Sequence, residues 1–256
     1  MESTGYKPAG EISLFVRNIL VFEEKENPAG TILPFFADGY PGLMFHMTPN
    51  GLWVQPQNKK MPSTFLHGQT LHPIELHMSG DYKLITFQLF PFVINSFFGV
   101  NAKELNDDCF DLLQIESWND YNRALQNSTD TNTQVDIISK FLLQLFHIHK
   151  QNLDFKVKES LELILDKKAQ IGVGELCKQL HVNVRTFERR FIKEVGISAK
   201  NFIQITRFQQ SLEQLSVKDF GKLTDIVYSN GFADQSHFIR VFKAFTGKTP
   251  STFIKT

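Results

Sequence analysis

Cysteine is nearly missing from this 256-residue chain: Cys109 and Cys177 are all there is. Two scattered thiols make neither a disulfide framework nor a metal-type pair. Long apolar runs are missing too. The segment from Ile12 to Phe22 is interrupted by Arg17 and Asn18 and is too short to span a bilayer. The opening MESTGYKPAG has neither the basic start nor the apolar run of a secretory signal. These absences predict a soluble, cytoplasmic protein with no membrane partner. A catalytic or metal constellation is also lacking. His46, His67, His72 and His77 lie among short apolar runs, yet no HxH pair occurs there. HPIELH sets His72 and His77 five residues apart, on opposite faces of an extended segment. No metal, no cofactor and no catalytic residue is expected, and nothing points to a cofactor-binding residue.

Net charge is absent only on average. Residues 1–155 hold 10 Lys+Arg against 17 Asp+Glu, a net of −7, and residues 156–256 hold 17 against 10, a net of +7. A basic half beside an acidic half points to a polyanion as partner of the basic one. The basic half is also repeated. Asn183 to Phe202 (NVRTFERRFIKEVGISAKNF) recurs 51 residues on as Asp234 to Phe253 (DQSHFIRVFKAFTGKTPSTF). Asn183 aligns with Asp234, Phe187 with Phe238, Arg189 with Arg240, Phe191 with Phe242, Gly196 with Gly247, Ser198 with Thr249, and Phe202 with Phe253.

Each copy predicts a short helix with a start, a buried face and a stop. Asn183 and Asp234 suit a helix N-cap. Phe187 with Phe191, and Phe238 with Phe242, lie four apart on one helical face. Gly196 and Gly247 suit a left-handed stop. Ser198 and Thr249 suit the cap of a following helix, with Pro250 at its first position. The remaining face carries Arg185, Glu188, Arg189 and Ile192 in the first copy, and Gln235, Ser236, Arg240 and Lys243 in the second. A shorter apolar helix precedes each copy, GELCKQL and LTDIVYS, with Cys177 and Val227 as equivalent small buried positions. Two short helices with polar and arginine side chains turned outward on the second make a helix-turn-helix.

NGFADQSHFIRVFKAFTGKTPSTF, with RTFERRF and GIS, closely resembles the DNA-binding domain of AraC/XylS-type transcription regulators, over about Lys156 to Thr256. The family's usual Pro after the Ser of the first unit is Ala199 here. The resemblance implies two helix-turn-helix units on one connecting helix, Ala199 to Leu215, with Phe202, Ile205, Phe208 and Leu212 as its core stripe. It implies double-stranded DNA as partner, together with RNA polymerase, in a bacterial sequence-specific regulator. Its base-reading positions fall on Arg185, Glu188 and Arg189, and on Gln235, Ser236 and Arg240. Arg190 faces differently and is assigned to phosphates or a salt bridge, and Lys243 to phosphates.

The fold class expected is α+β: a β-rich, barrel- or sandwich-like N-terminal domain with trailing helices, then an all-α domain of two helix-turn-helix units. The expected division is 1–150 for the sensor and dimerisation domain, 151–155 for the linker, and 156–256 for the DNA-binding domain. Residues 11 to about 90 carry short β-branched and apolar runs (SLFVRNILVF, GLMFHM, TFLHG, IELHMS, YKLITFQLF) between Gly, Pro, Asn and Asp punctuation. This half resembles the cupin-like sensor domains of such regulators, which implies a small-molecule effector. Phe35, Phe36, Tyr40, Phe45, Trp53, Phe87 and Phe90 are candidates for a pocket lining or for ordinary core. After Phe90, PFVINSFFG, AKELNDDCFDLLQI and SWNDYNRALQ are helix candidates. Thr133 to His149 follows, with Val135, Ile138, Phe141, Leu142, Leu145 and Ile148 on one stripe. A stripe of that length is expected first of all to pack on its own β domain; the resemblance implies a homodimer contact there as well, tested at Phe141 and Leu145. The competing reading is a cupin-like enzyme or a DNA-repair protein carrying a DNA-binding tail.

Overall fold

The computed structural model describes residues 2–25, 29–217 and 221–254. Among these residues ten strands form two antiparallel sheets. Six of them, β1 (Glu2–Tyr6), β2 (Val16–Glu24), β4 (Gly42–Met47), β7 (Thr64–His67), β9 (Tyr82–Leu89) and β10 (Cys109–Asp111), make a sheet in the order β1-β2-β9-β4-β7-β10. The second sheet runs β3-β8-β5-β6, from β3 (Thr31–Phe35), β8 (Ile74–Met78), β5 (Trp53–Gln55) and β6 (Lys59–Lys60).

The apolar runs of the central strands follow from their having both faces covered. In β4 and β9 the pairs Leu43–Phe87 and Phe45–Ile85 alternate with Met44–Thr86 and His46–Leu84. Leu43, Phe45, Ile85 and Phe87 face a core shared with the helices, and Met44, Leu84 and Tyr82 face the second sheet's Val54, Leu76 and Met78. Period-two alternation splits one run between two cores.

The helices then supply the third layer. These are α1 (Ile94–Phe98), α2 (Asn119–Gln126) and α3 (Thr131–His149). AKELNDDCFDLLQI, expected to be helical, forms turns, strand β10 and a 3-10 turn at Leu112–Gln114. Asp107 takes a left-handed φ of 53°, and its carboxylate accepts from Leu71 N–H and His72 N–H, so the chain turns where a helix would continue. The stripe of α3 packs on its own domain. Val135, Ile138, Phe141, Leu142 and Leu145 are buried, and Phe141 meets Trp118 edge-on at 4.7 Å. The dimer contact expected through Phe141 and Leu145 therefore has no exposed side chains to use; Ile148 is the exposed member of that stripe.

Residues Lys150–Asn152 form a 3-10 turn, and Leu153 is buried before α4 (Phe155–Asp166) begins. Then come α5 (Val173–Gln179), α6 (Val184–Val195), α7 (Ala199–Ser216), α8 (Leu223–Ser229), α9 (Gln235–Thr246) and α10 (Pro250–Phe253). The core of the first helical unit is continuous with that of the β domain, whereas the second unit has a core of its own around Phe208, Phe238 and Phe242. Among the described residues no helix is long and apolar enough to cross a membrane.

Candidate nucleic-acid interface

Helices α6 and α9 are built by the same local chemistry. Asn183 caps α6 by accepting from Arg185 N–H and Thr186 N–H, and Asp234 caps α9 by accepting from His237 N–H. Gly196 ends the first at φ 85° and Gly247 the second at φ 74°, the left-handed stop that glycine adopts without strain. Ser198 and Thr249 then cap α7 and α10.

The aromatic packing repeats as well. The rings of Phe187 and Phe191 stand 5.5 Å apart, and those of Phe238 and Phe242 5.6 Å apart. The second ring of each pair meets the next helix edge-on, Phe191 on Phe202 at 6.0 Å and Phe242 on Phe253 at 5.4 Å. The repeat is thus one packing unit used twice. In each copy the phenylalanines fix which side of the helix faces solvent.

That solvent side carries the residues anticipated from the sequence. Arg185 and Arg189 on α6 are exposed, as are Gln235, Ser236, Arg240 and Lys243 on α9. None of these six side chains makes a hydrogen bond or ion pair with a described residue. Arginine and lysine left without protein partners on one face keep their donors free for an anionic ligand.

Two residues of the anticipated set are otherwise engaged. Glu188 is half-buried, and one carboxylate oxygen accepts a long bond of 3.4 Å from Ala199 N–H. A carboxylate at the first turn of α7 complements the positive end of that helix. Arg190, assigned to phosphates or a salt bridge, makes the salt bridge. Its Nε donates to Asp154 Oδ2 at 2.7 Å and its Nη2 to Asp154 Oδ1 at 2.6 Å.

The β domain approaches α6 closely. Asn106 Nδ2 donates to Gly196 O at 2.9 Å, and a Cβ on Gly196 would lie 2.5 Å from Ala102 O. Arg189, Ile192 and Lys193 look across a groove of about 390 Å³ to Asn95, Gly99, Asn101 and Lys103. Lys103 therefore adds a cation beside the exposed face of α6, a placement without any local signal in the sequence.

Two cavities bear on ligand binding. One, of about 60 Å³, lies between the sheets and is lined by Phe35, Met44, Val54, Phe65, His67 and Leu76 among others. Burial lowers the His67 pKa to about 4, so its ring is neutral there. The other, of about 640 Å³, separates the β domain from α7 and is lined by Arg17, Asp38, Tyr40, Gln88, Gln209 and Glu213 among others. Gln88 Nε2 donates to Asp38 Oδ2 at 2.7 Å, and the Arg17 guanidinium sits 4.1 Å from the Tyr40 ring centroid. Of the aromatic candidates, Phe35 lines the first cavity, Tyr40 and Phe90 line the second, and Phe45 and Phe87 are fully buried core. His46 is held by Pro62 O and Thr48 Oγ1. His72 lies before β8 rather than in it.

The architecture is a β domain followed by two helix-turn-helix units on one connecting helix, α7. Residues 176–256 match the helix-turn-helix domain family, and residues 4–111 match a domain family of unknown function, DUF6597. An uncharacterized HTH-type transcriptional regulator of Staphylococcus aureus (strain MSSA476) is 26% identical over 115 residues, 44% of this chain and 15% of that one. The HTH-type transcriptional activator RhaS of Yersinia pestis (strain Pestoides F) is 30% identical over 76 residues, 30% of this chain and 28% of that one. The matched segments thus span less than a third of the length of those relatives. Among solved structures, ToxT from Vibrio cholerae aligns with a TM-score of 0.47 at 15% identity, covering 93% of this chain and 97% of that one. The DNA-binding domain of AdpA in complex with a target DNA aligns with a TM-score of 0.37 at 21% identity, covering 39% and 90%.

Proposed function

We propose that this chain is a sequence-specific DNA-binding transcription regulator that reads two successive major-groove segments, one with α6 and one with α9. The observation that carries the reading is the repeated unit itself. Two helices with equivalent caps and the same phenylalanine packing each expose an arginine at the same position, Arg189 and Arg240, with no partner among the described residues. Arg185, Arg189, Gln235, Ser236 and Arg240 read bases, and Lys243 holds phosphate. Arg190 acts by fixing α6 and not by touching DNA, and Glu188 by setting a carboxylate beside the first turn of α7, which Ser198 caps. The working division is residues 1–150 for control, 151–155 for the connection and 156–256 for DNA. Binding rather than catalysis is the chain's work, and RNA polymerase is the partner that a regulator bound at a promoter meets.

Control falls to the β domain, through a small-molecule effector in one of the two cavities. The larger is favoured, because it is bounded on one side by strands and on the other by α7. A ligand there touches both halves at once.

Selection of bound sequences from a random double-stranded DNA library by the full chain tests the proposal. Enrichment of a bipartite site, its halves about one helical turn apart, is expected. Recovery of unselected sequence at every salt concentration rules the reading out.

A further inference from the structure

The two helical units are held in register at a narrow seam. Helix α7 contributes Phe202, Ile203 and Ile205 to the first core, then Phe208 and Leu215 to the second. Apart from the half-buried Phe245, which packs against both, and Phe36 of the β domain, which packs against the second and meets Phe253 at 6.1 Å, the two cores are separate. A helix shared by two separate cores leaves the units able to rock about the point where it passes from one to the other.

Arg207 sits at that point. Its Nε and Nη2 both donate to Ala169 O, at 3.0 and 2.9 Å, and its Nη1 donates to Gly231 O at 2.8 Å. Ala169 lies on the loop leading into the first unit, and Gly231 in the turn between α8 and α9. Both residues are left-handed, at φ 55° and 70°, so each carbonyl is set by a turn and not by a helix. Gln170 Nε2 adds a bond to Ser229 O at 3.1 Å, and a Cβ on Gly231 would lie 2.8 Å from Gln170 Oε1. The guanidinium is half-buried, and burial pulls its pKa down. Its hydrogen-bond partners are carbonyls throughout, with no carboxylate among them.

We propose that Arg207, seconded by Gln170, fixes the angle between the two units and thereby sets the base-pair spacing between the two segments the protein reads. The inference rests on the DNA-binding reading above. Moving one segment by a single base pair shifts it about 3.4 Å along the duplex and turns it by about 35°. A clasp of short bonds across the seam cannot follow such a shift without breaking. A planar fork reaches two carbonyls on different loops at once; lysine, with one nitrogen on a flexible stem, does not. Arg207 is a positioning residue, since nothing in its geometry brings it to a base.

The test uses the full chain and a library in which the two selected segments are separated by the wild-type spacing or by one or two base pairs more or fewer. Wild-type protein should favour a single spacing by roughly tenfold. Arg207→Met should accept neighbouring spacings nearly equally while keeping the same base preferences within each segment. Arg207→Lys should behave like Arg207→Met, and Gln170→Ala, at an exposed position that leaves the fold intact, should shift the same way by less. Circular dichroism melting of each variant checks that it is folded; if Arg207→Met is not, Gln170→Ala and Arg207→Lys decide the matter. The proposal is overturned if folded variants keep the wild-type spacing. It is also overturned if Arg207→Lys restores full spacing and affinity, because charge toward phosphate would then be the role. Loss of base preference in both segments together overturns it as well. A wild-type protein that selects no sequence removes the DNA-binding reading itself, and the proposal with it.

Discussion

The Arg190 guanidinium is gripped in a two-pronged fork by the Asp154 carboxylate, 36 residues earlier in the chain. The same carboxylate caps α4, accepting from Lys156 N–H and Val157 N–H at 3.1 Å each. One side chain thus starts the first helix after the β domain and pins α6, one residue along from Arg189.

Removing the two roles separately should separate their energies. Asp154→Asn keeps a good cap but leaves Arg190 without its counter-charge, which should cost about 1–2 kcal/mol because Arg190 is partly exposed. Asp154→Ala loses the cap as well, about 1 kcal/mol more. Burial by itself would raise the Asp154 pKa, but the Arg190 guanidinium and the Val157 and Lys156 N–H groups outweigh it and hold it below its ordinary 3.8. A depressed carboxylate stabilises the fold above its unfolded pKa and loses that stability as pH falls through the folded value. The wild type should therefore lose its advantage over Asp154→Asn below about pH 4. Urea unfolding at pH 7 and pH 3.5 measures both effects; an undiminished difference at the lower pH would remove the ion pair as its cause.

The repeat offers an internal control on domain docking. Gly196 and Gly247 are equivalent left-handed stops, so alanine at either costs about 1 kcal/mol through the backbone. At Gly247 a Cβ meets nothing closer than Pro73 Cγ at 3.8 Å, whereas at Gly196 it would collide with Ala102 O at 2.5 Å. Gly196→Ala should therefore destabilise more than Gly247→Ala and loosen the contact between α6 and the β domain. Limited proteolysis should show faster cleavage near 150–155 in Gly196→Ala alone. Equal cleavage in the two variants would mean that this contact does not hold the halves together.

Phe141 belongs to the core and not to a surface. Its ring is fully buried against Trp118, Tyr121 and Phe98. Phe141→Ser should therefore unfold or strongly destabilise the β domain, by about 3–5 kcal/mol. A variant with wild-type melting behaviour and a smaller mass in sedimentation would restore the stripe as an interface.

The helical half was legible because its signals are local. Asn183, Asp234, Ser198 and Thr249 act on N–H groups two or three residues away, and Gly196 and Gly247 act on their own φ, so each could be placed from the sequence alone. The stretch from Ala102 to Ile115 misled because its turns depend on distant partners. Asp107 holds Leu71 and His72, and Gly68 lies so close to Leu105 that a Cβ there would collide with its carbonyl oxygen. The apolar stripe of α3 was visible, but periodicity shows that a face is covered without showing by what. Arg207 carried no signal. Its neighbours Ile205 and Phe208 mark the core stripe, while its own partners lie 38 and 24 residues away.

Asp38 should report on the larger cavity. Burial raises its pKa from 3.8 to about 6, against the pull of the Tyr40 N–H, Gln88 and Arg17. A raised carboxylate gives its full stability below the unfolded pKa and loses it as pH rises through the folded value. Asp38→Asn should thus melt higher than the wild type at pH 7.5, with the gap closing toward pH 4. The neighbouring amides of Gln88 and Asn18 can turn over to accommodate the new donor. A gap independent of pH would show that Asp38 is not held in this strained ionisation.

The two arginines of the repeat separate reading from holding. Arg189 and Arg240 lie two residues after the buried Phe187 and Phe238, and both are exposed. A guanidinium fork can donate to guanine O6 and N7 together, a contact that discriminates by about 1–3 kcal/mol. Arg189→Ala should relax base preference in one segment of the selected site, and Arg240→Ala in the other. Lys243 carries a charge on a flexible stem, so Lys243→Ala should weaken binding to all sequences and reduce the dependence of log affinity on log salt by about one unit. Selection with each single variant, together with affinity titrations at several salt concentrations, distinguishes the two kinds of contact. If Arg189→Ala and Arg240→Ala relax the same base position, the two helices do not address separate segments, and the repeat is a repeat of packing alone.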